Sequence, residues 1–347
     1  MTTQDRPVAD RISRRQLLAA AAASAVPALS IAADPLPAAG ERELTWYLSH
    51  LSAPVAEEIG RMFTNRYPGI KVNVVRTTAQ VAYQRLTLDR KNKLANCDIF
   101  STPDVSHFVS LKAAGALLRY TSPNAEKLFP VFRDADPDGY YHVVSASLLS
   151  IVYNKNLVRP DEAPKTWKEL IDPKWRSKLV VGNPAFSSFM GNWVLYMNRL
   201  YGWDYLERLR ANRPFVGRSI IDGLTMLNSG ERAVAVAPAS LAEEAALKGA
   251  PLAVSYPSDG SILMLSFSAI PADAPHPNAA KLFLNFVHDI EICQLAIPQF
   301  GEPLRPDVVL PPGRKSAATV KIYRPAESEV AKNMQEAIER WREAFGA

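Results

Sequence analysis

Hydrophobic residues follow two alternating patterns from Glu43 onward. Short apolar runs, typical of β-strands, precede longer segments in which apolar residues recur three or four positions apart, as on one face of a helix. In the first third, the predicted strands cover residues 44–48, 70–75 and 97–100, and the predicted helices cover residues 55–63, 83–94 and 105–114. Repeated strand–helix–strand units predict an α/β fold with mainly parallel sheets covered by helices.

The rest of the chain continues this alternation around two longer apolar strands. Val143–Tyr153 is long enough to cross between two sheets, and Ile262–Ile270 is apolar enough to return to the first sheet. The other predicted strands cover residues 178–181, 233–237 and 252–256, and the other predicted helices cover residues 219–227, 241–247, 277–293 and 330–345. The pattern therefore favours two sheets joined by crossing strands.

Polar residues follow two strands of the first sheet at the point where each strand ends. Ser49 and His50 follow the first strand, and Ser101 and Thr102 follow the third. In open parallel sheets, ligands bind beyond the carboxyl ends of the strands. These four residues are therefore candidate ligand-binding residues.

The stretch from Trp175 to Phe189 contains a polar turn directly before the start of a predicted helix. A short apolar strand ends at Asn183-Pro184, and Ser187 and Ser188 precede a long apolar-periodic segment. The free N–H groups and positive dipole end of a helix start, together with the two hydroxyls, suit an anion. Serine is also an ordinary helix N-cap, so both interpretations stay open.

Length and charge limit the classes of protein. A chain of 347 residues is long enough for two domains. The net charge is +5, and Lys and Arg are interspersed with Asp and Glu rather than collected in a basic run. We therefore expect no nucleic-acid partner.

The first 33 residues have the features of an export signal. Arg14-Arg15 precedes an alanine-rich apolar run, and small residues from Ser30 to Ala33 suit a signal peptidase. The alternative is a membrane anchor, although the run is shorter than the roughly 20 residues that span a bilayer. A twin-arginine-type signal at residues 1–33 predicts a periplasmic protein, and removing its four arginines and two aspartates leaves a net charge of +3.

Residues with reactive side chains show no catalytic or metal-binding spacing. Cys97 and Cys293 are the two cysteines; a disulfide and two separately buried thiols are both compatible with the sequence. The five histidines lack metal-ligand spacing, and neither a nucleophile elbow, a phosphate loop nor an H-E-x-x-H motif is present. We expect no enzyme, metal or cofactor; a periplasmic hydrolase with scattered catalytic residues is the less favoured alternative.

Several motifs in this order resemble one family. They are the export signal, the first strand with its helix to Phe63, Cys97-Asp98-Ile99-Phe100 with Gly115-Ala116-Leu117, Ile151-Val152-Tyr153-Asn154-Lys155, Thr166-Trp167-Lys168-Glu169-Leu170 with Asp172-Pro173-Lys174-Trp175, and Tyr256-Pro257-Ser258-Asp259-Gly260. Together they resemble the family 1 extracellular solute-binding proteins of ABC importers, in the branch of ferric-iron, phosphonate and sugar-phosphate receptors. Each motif is weak alone, whereas the ordered set is specific.

The resemblance implies a type II periplasmic-binding-protein fold with two α/β lobes joined by hinge strands. Residues 41–142 with 263–315 would form lobe 1, and residues 143–262 with 316–347 would form lobe 2. The family also implies a monomer that closes on a small solute and delivers it to a membrane permease. Loops from both lobes then meet around one ligand, which stabilises the closed form.

The ligand class depends on one position of the family pattern. Ferric-iron members have two adjacent tyrosines where this chain has Ala237-Pro238-Ala239-Ser240. His50 lies roughly where iron binders keep a histidine, and Tyr140-Tyr141 suits strand packing better than ligation. We therefore expect a small organic anion, such as a phosphonate, sugar phosphate or carboxylate, with ferric iron or an iron chelate as the alternative.

The candidate ligand-binding residues share hydroxyl, amide, imidazole or guanidinium groups near predicted strand ends, turns and helix starts. The full set is Ser49, His50, Ser101, Thr102, Ser147, Asn183, Ser187, Ser188, Arg218, Ser219, Ser240 and Tyr256.

Overall fold

The computed structural model describes residues 40–218, 220–324 and 326–346, and the predicted export signal lies outside these residues. Within them the strands are β1 (Glu43–Leu48), β2 (Lys71–Arg76), β3 (Ile99–Thr102), β4 (His142–Asn154), β5 (Leu179–Gly182), β6 (Phe215–Gly217), β7 (Val234–Pro238), β8 (Leu252–Ser255), β9 (Ser261–Ala269) and β10 (Ile322–Tyr323).

The helices of the described residues alternate with these strands. They are α1 (Ala53–Arg66), α2 (Ala79–Lys91), α3 (Val105–Ala113), α4 (Pro130–Arg133), α5 (Ser188–Tyr201), α6 (Asp204–Ala211), α7 (Ile220–Asn228), α8 (Ala239–Leu247), α9 (Pro277–Phe286), α10 (Ile290–Phe300) and α11 (Glu327–Phe345). None of them combines the length and the apolar character needed to cross a bilayer.

One sheet contains two sets of parallel strands. The main path has the order β2-β1-β3-β9-β4-β7-β5-β6, while β10 pairs with β9 and β8 with β4. β1 is parallel to β2 and β3, and β5 is parallel to β6 and β7. The predicted parallel strand–helix units therefore occur twice, once at each end of the path.

Two long strands connect these parallel sets. β4 and β9 are antiparallel partners, from His142 opposite Ser268 to Leu149 opposite Ile262. β9 also pairs with β3, and β4 also pairs with β7 and β8. The long apolar strands of the sequence thus form an antiparallel pair that connects the first parallel set, through β3, to the second, through β7.

Two helix predictions differ from the structure. α2 begins at Ala79, four residues before the predicted start, because Thr78 caps it by accepting a hydrogen bond from the Val81 amide. The predicted helix at 277–293 is two helices separated by residues 287–289. At this break the His288 ring bonds to the Val143 carbonyl, and Asp289 pairs with Arg66.

The carboxylate of Asp259 fixes the turn before β9. It accepts hydrogen bonds from the Trp167 amide and the Tyr201 hydroxyl. The next peptide also takes part, because the Gly260 carbonyl accepts from the Trp167 indole at 2.8 Å. This turn thereby ties the start of a crossing strand to the hydrophobic core around α5, where Trp167 and Trp193 are fully buried.

Both cysteines are free and buried in the structure. Burial raises the pKa of the Cys293 thiol to about 12 and raises that of Cys97 well above its usual value. Of the two arrangements that the sequence left open, the structure contains the separately buried thiols, and their high pKa values make them unreactive.

A buried ionic network joins α8 to the segment after α10. Arg314 donates to Glu243 at 2.9 Å, and the Tyr256 hydroxyl donates to the same carboxylate at 2.6 Å. Glu302, which is 6% exposed, accepts from the Ala317 amide at 2.7 Å. Burial, with a smaller contribution from Glu243, raises the pKa of Glu302 to about 7.

We expect Asp259→Ala to lower the free energy of unfolding by about 2 kcal/mol, because two donors lose a charged acceptor. Urea denaturation at neutral pH measures this change. Asp161→Ala is the matched control, since its side chain is 63% exposed and pairs with the exposed Arg159, and it should change stability little. Equal effects of the two substitutions would contradict a structural role for Asp259.

We expect Glu302→Gln to stabilise the protein increasingly as pH rises from about 5 to about 7.5. Folding raises the pKa of Glu302 from 4.5 to about 7. The preference of the folded state for the protonated side chain therefore stabilises the protein fully below the unfolded pKa, and this contribution is lost as pH rises through the folded pKa. The difference should reach the order of 2–3 kcal/mol. Thermal unfolding at several pH values tests this, with the exposed Glu126→Gln as control; a pH-independent difference would contradict the assignment.

Candidate functional site

A cleft of about 860 Å³ opens beyond the carboxyl ends of five parallel strands. Its lining comes from the loops after β1, β2, β3, β5 and β6 and from one face of α11. The lining residues are Ser49, His50, Arg76, Thr77, Thr78, Ala79, Gln80, Pro103, Asp104, Pro184, Ala185, Phe186, Ser187, Ser188, Phe189, Arg218, Met334 and Ile338. Loops from both parallel sets therefore share one cleft.

The start of α5 forms one wall. Ser187 is the N-cap, and its hydroxyl accepts from the Met190 amide at 3.4 Å. The amides of Ser188 and Phe189 belong to the first turn, where no helical carbonyl is available to them. The turn before the helix is fixed by Asn183, whose side chain accepts from the Ala185 amide at 2.9 Å.

The start of α2 faces the same cleft. Thr78 is its N-cap, and Ala79 and Gln80 contribute the first helical amides. Arg76 precedes this start and donates to the Leu51 carbonyl at 2.7 Å. Two helix starts, each with positive dipole character and free amides, thus line one space, an arrangement that favours a negatively charged ligand.

The charged side chains of the lining add to this preference. Arg76 and Arg218 are cationic, and Asp104 is the one carboxylate among the described lining residues. Asp104 is already engaged, since it accepts from the amide and hydroxyl of Ser106 at 3.0 and 2.6 Å as the cap of α3. The charged side chains of the lining, two arginines and one aspartate, are therefore positive in sum.

Ser49 and His50 contribute neutral polar atoms. Among the described residues, neither the Ser49 hydroxyl nor Nδ1 of His50 has a hydrogen-bond partner, although both atoms are buried. Burial lowers the pKa of His50 to about 3, so its imidazole is neutral at physiological pH. Because unpaired buried polar atoms are costly, these two atoms suit contact with a ligand or with water.

A family model described as bacterial extracellular solute-binding protein matches residues 97–316. The chain belongs to this family. The resemblance inferred from the motifs is therefore confirmed, and the chain is an extracellular, periplasmic-type solute-binding protein of the ABC-importer class.

Curated relatives and solved structures agree with this membership. A periplasmic protein of Salmonella paratyphi A, whose name proposes 2-aminoethylphosphonate as its ligand, is 25% identical over 79% of this chain and 82% of its own length. AfuA of Actinobacillus pleuropneumoniae, solved with fructose-6-phosphate, has a TM-score of 0.76 at 18% identity over 88% of this chain and 99% of its own.

Iron-bound HitA of Pseudomonas aeruginosa has a TM-score of 0.75 at 19% identity, over 87% of this chain and 99% of its own. At such identities these structures establish the fold alone. The solute-binding protein thus has the predicted two-lobed periplasmic-binding-protein fold with crossing hinge strands.

Five of the predicted ligand-binding residues line the cleft of this solute-binding protein: Ser49, His50, Ser187, Ser188 and Arg218. The run from Arg76 to Gln80 was not among the predicted residues, because the predicted helix began at residue 83 and α2 begins at Ala79. The sequence did contain a signal for it, because Thr78, a typical N-cap residue, follows closely on a strand of alternating apolar and polar residues. The same strand–turn–helix logic that identified Ser187 applies to Thr78.

Six other predicted residues do not line the cleft; five of them have hydrogen-bond partners elsewhere in the fold, and the sixth is buried. Ser101 forms hydrogen bonds with Trp46 and Ser268, and Thr102 with the His107 ring. Asn183 accepts from the Ala185 amide, Ser240 donates to the Gln299 carbonyl, and Tyr256 donates to Glu243. The buried Ser147 hydroxyl has no partner among the described residues. Ser219 lies outside the described residues. Ligand contact by these seven residues stays a prediction.

The position of the family's paired tyrosines is packed against another helix. Ala237 to Ser240 are buried, and a Cβ at Gly301 would lie 2.6 Å from the Ser240 Cβ. Gly301 ends α10 with a φ of +83°, which favours glycine at this close approach. No described lining residue of the cleft is a tyrosine, and no cluster of three metal-ligating side chains occurs among the described residues.

We expect Ser187→Ala to lower the free energy of unfolding by about 1 kcal/mol, because α5 loses its N-cap. Ser188→Ala is the control, since it changes the neighbouring hydroxyl without removing the bond to the Met190 amide. Chemical denaturation of both variants without ligand gives the comparison. If Ser188→Ala were the more destabilising change, the assigned cap would be wrong.

Proposed function

We propose that this protein is the receptor of an ABC importer and captures a small organic anion in the cleft. The ligand is a phosphonate, a sugar phosphate or a carboxylate, which a membrane permease then receives. One observation carries the proposal: the starts of α2 and α5, with Arg76 and Arg218, line the same cleft.

The chemistry of these groups fits an anionic headgroup. First-turn amides and hydroxyls donate hydrogen bonds to oxygen atoms, and the helix dipoles stabilise their charge. Guanidinium groups add charge-assisted hydrogen bonds, which are about twice as strong as neutral ones. Neutral His50 and Ser49 supply further hydrogen-bonding atoms without adding charge.

Closure of the two lobes depends on the ligand. Residues 41–142 with 263–315 form one lobe, and residues 143–262 with 316–347 form the other. The α2 start belongs to the first lobe and the α5 start to the second, so a ligand held by both stabilises the closed form. The receptor acts as a monomer in the periplasm after residues 1–33 are removed, and it has no enzymatic activity.

The names of the relatives support this ligand class, since one proposes 2-aminoethylphosphonate binding and one structure contains fructose-6-phosphate. An iron chelate is the second candidate. It is favoured by the unpartnered Nδ1 of His50 in the cleft and by the iron-bound structure with the same fold. A chelate brings its own oxygen ligands and negative charge, which would compensate for the missing tyrosines.

We expect calorimetric titration to detect binding of 2-aminoethylphosphonate, fructose-6-phosphate or citrate, and we expect Arg218→Gln to weaken that binding about tenfold, or about 1.4 kcal/mol. Arg208→Gln is the control, because this exposed arginine lies on α6 and does not line the cleft. Ferric chloride and ferric citrate complete the panel.

Binding of ferric citrate alone would favour the iron-chelate candidate, and binding of ferric chloride alone would contradict the anion proposal. Equal effects of the two arginine substitutions would show that the cleft is not the binding site. Turnover of ester or phosphoester substrates in the same preparations would overturn the receptor assignment.

A further inference from the structure

The cleft has an apolar wall beside its anion-binding helix start. Phe186, Phe189, Met334 and Ile338 all line it. Phe189 and Met334 also pack against the hydrophobic core around α5. Phe186 and Ile338 belong to none of the four hydrophobic clusters of the described residues. The core therefore does not account for these two side chains.

Phe186 is held at the cleft while remaining 59% exposed. Its amide and that of Ser187 donate to the Asn183 carbonyl at 3.1 and 3.2 Å. The Arg218 guanidinium lies 4.9 Å from the centre of its ring, a geometry that stabilises a cation over an aromatic face. Burying an exposed phenylalanine ring is favourable. A ligand that covers the Phe186 ring would therefore gain this free energy.

α11 brings the second apolar group to the same place. Gly191 on α5 has no side chain, and a Cβ there would lie 2.2 Å from the Met334 Sδ. α11 therefore lies close against α5, and Ile338 follows Met334 on the same helix face one turn later. The side chains of Met334 and Ile338 line the cleft together with Ser187 and Ser188.

Carboxylate and amide side chains are scarce in the lining of the cleft. Buried hydroxyl donors need acceptors, and Asp104 is the one carboxylate among the described lining residues. Asp104 already caps α3 through Ser106. Gln80 is the only side-chain amide of that lining. An apolar substituent matches the wall that Phe186 and Ile338 form better than a polyol does.

We propose that the solute is an organophosphonate with an apolar substituent, alkyl or aryl, and that Phe186 and Ile338 recognise this substituent. This inference rests on the proposed function, because the phosphonate group is placed at the starts of α2 and α5. Phe186 precedes the cap Ser187 by one residue, so a substituent attached to the bound headgroup lies within reach of the ring, given about 3.8 Å between successive Cα atoms.

Calorimetry with methylphosphonate, butylphosphonate, phenylphosphonate and fructose-6-phosphate tests the inference. We expect the dissociation constant to fall about tenfold from methyl- to phenylphosphonate. In Phe186→Ala this gain should shrink to about twofold, and Phe186→Leu should retain part of it because an apolar surface remains. Phe215→Ala is the control, since this exposed phenylalanine of β6 does not line the cleft.

The outcomes separate this inference from the proposed function. Tightest binding of methylphosphonate or fructose-6-phosphate, or an unchanged methyl-to-phenyl ratio in Phe186→Ala, would overturn the inference while leaving an anion receptor. Absence of binding by all four anions to a folded protein would overturn both. If the methyl-to-phenyl ratio of dissociation constants fell as much in Phe215→Ala as in Phe186→Ala, recognition by the cleft wall would likewise be contradicted.

Discussion

The antiparallel pairing of β4 with β9 is the constraint on which the rest of the structure depends. β9 pairs with β3 of the first parallel set and β4 pairs with β7 of the second, so the β4–β9 hydrogen-bond ladder joins the two sets. The Asp259 turn fixes where β9 begins, and the Leu149–Ile262 pair fixes the register that follows. Because side chains alternate along a strand, a slip of one residue would turn the side chains of the slipping strand to the opposite face. Loops from the two parallel sets can meet in one cleft only while this register holds.

The proposed preference of the cleft for an anion rests mostly on backbone groups. Helix starts supply amides and dipoles wherever a parallel strand is followed directly by a helix, and the fold places two such starts at the cleft. Such a site needs few charged side chains, and the described lining contains two arginines. Discrimination among anions falls to the side chains beside the helix starts, and here these include an exposed aromatic ring rather than carboxylates.

One fold holds different ligands because its loops differ. Here the segment where iron-binding members of the family have tyrosines is covered by the end of α10. Ser240 donates to the Gln299 carbonyl at 3.0 Å, and Gly301 approaches it closely. Ser240 is 2% exposed at this close approach, so a larger side chain in its place would require α10 to move. Packing of α10 on α8 thus fits the absence of tyrosines at this position and leaves the loops after β2 and β5 as the main polar surface of the cleft.

Sequence analysis identified the elements whose patterns are local. Apolar runs gave β4 and β9 within one residue at each end, and the turn at Asn183 with the cap at Ser187 gave one wall of the cleft. Nonlocal contacts caused the errors. The break between α9 and α10 accompanies the contacts of His288 with Val143 and of Asp289 with Arg66, residues more than a hundred positions away.

The sequence by itself determined the alternating strands and helices, the ordered family motifs and the chemistry of single loops, because these depend on neighbouring residues. Only the tertiary structure decided which loops share the cleft. It brought Arg76 and Thr78 opposite Ser187, buried Ser101 against Trp46, and set Ile338 of the last helix in the cleft with Phe186. The physical reason is that hydroxyl groups near strand ends look alike in sequence, whereas long-range packing decides which of them stay available to a ligand.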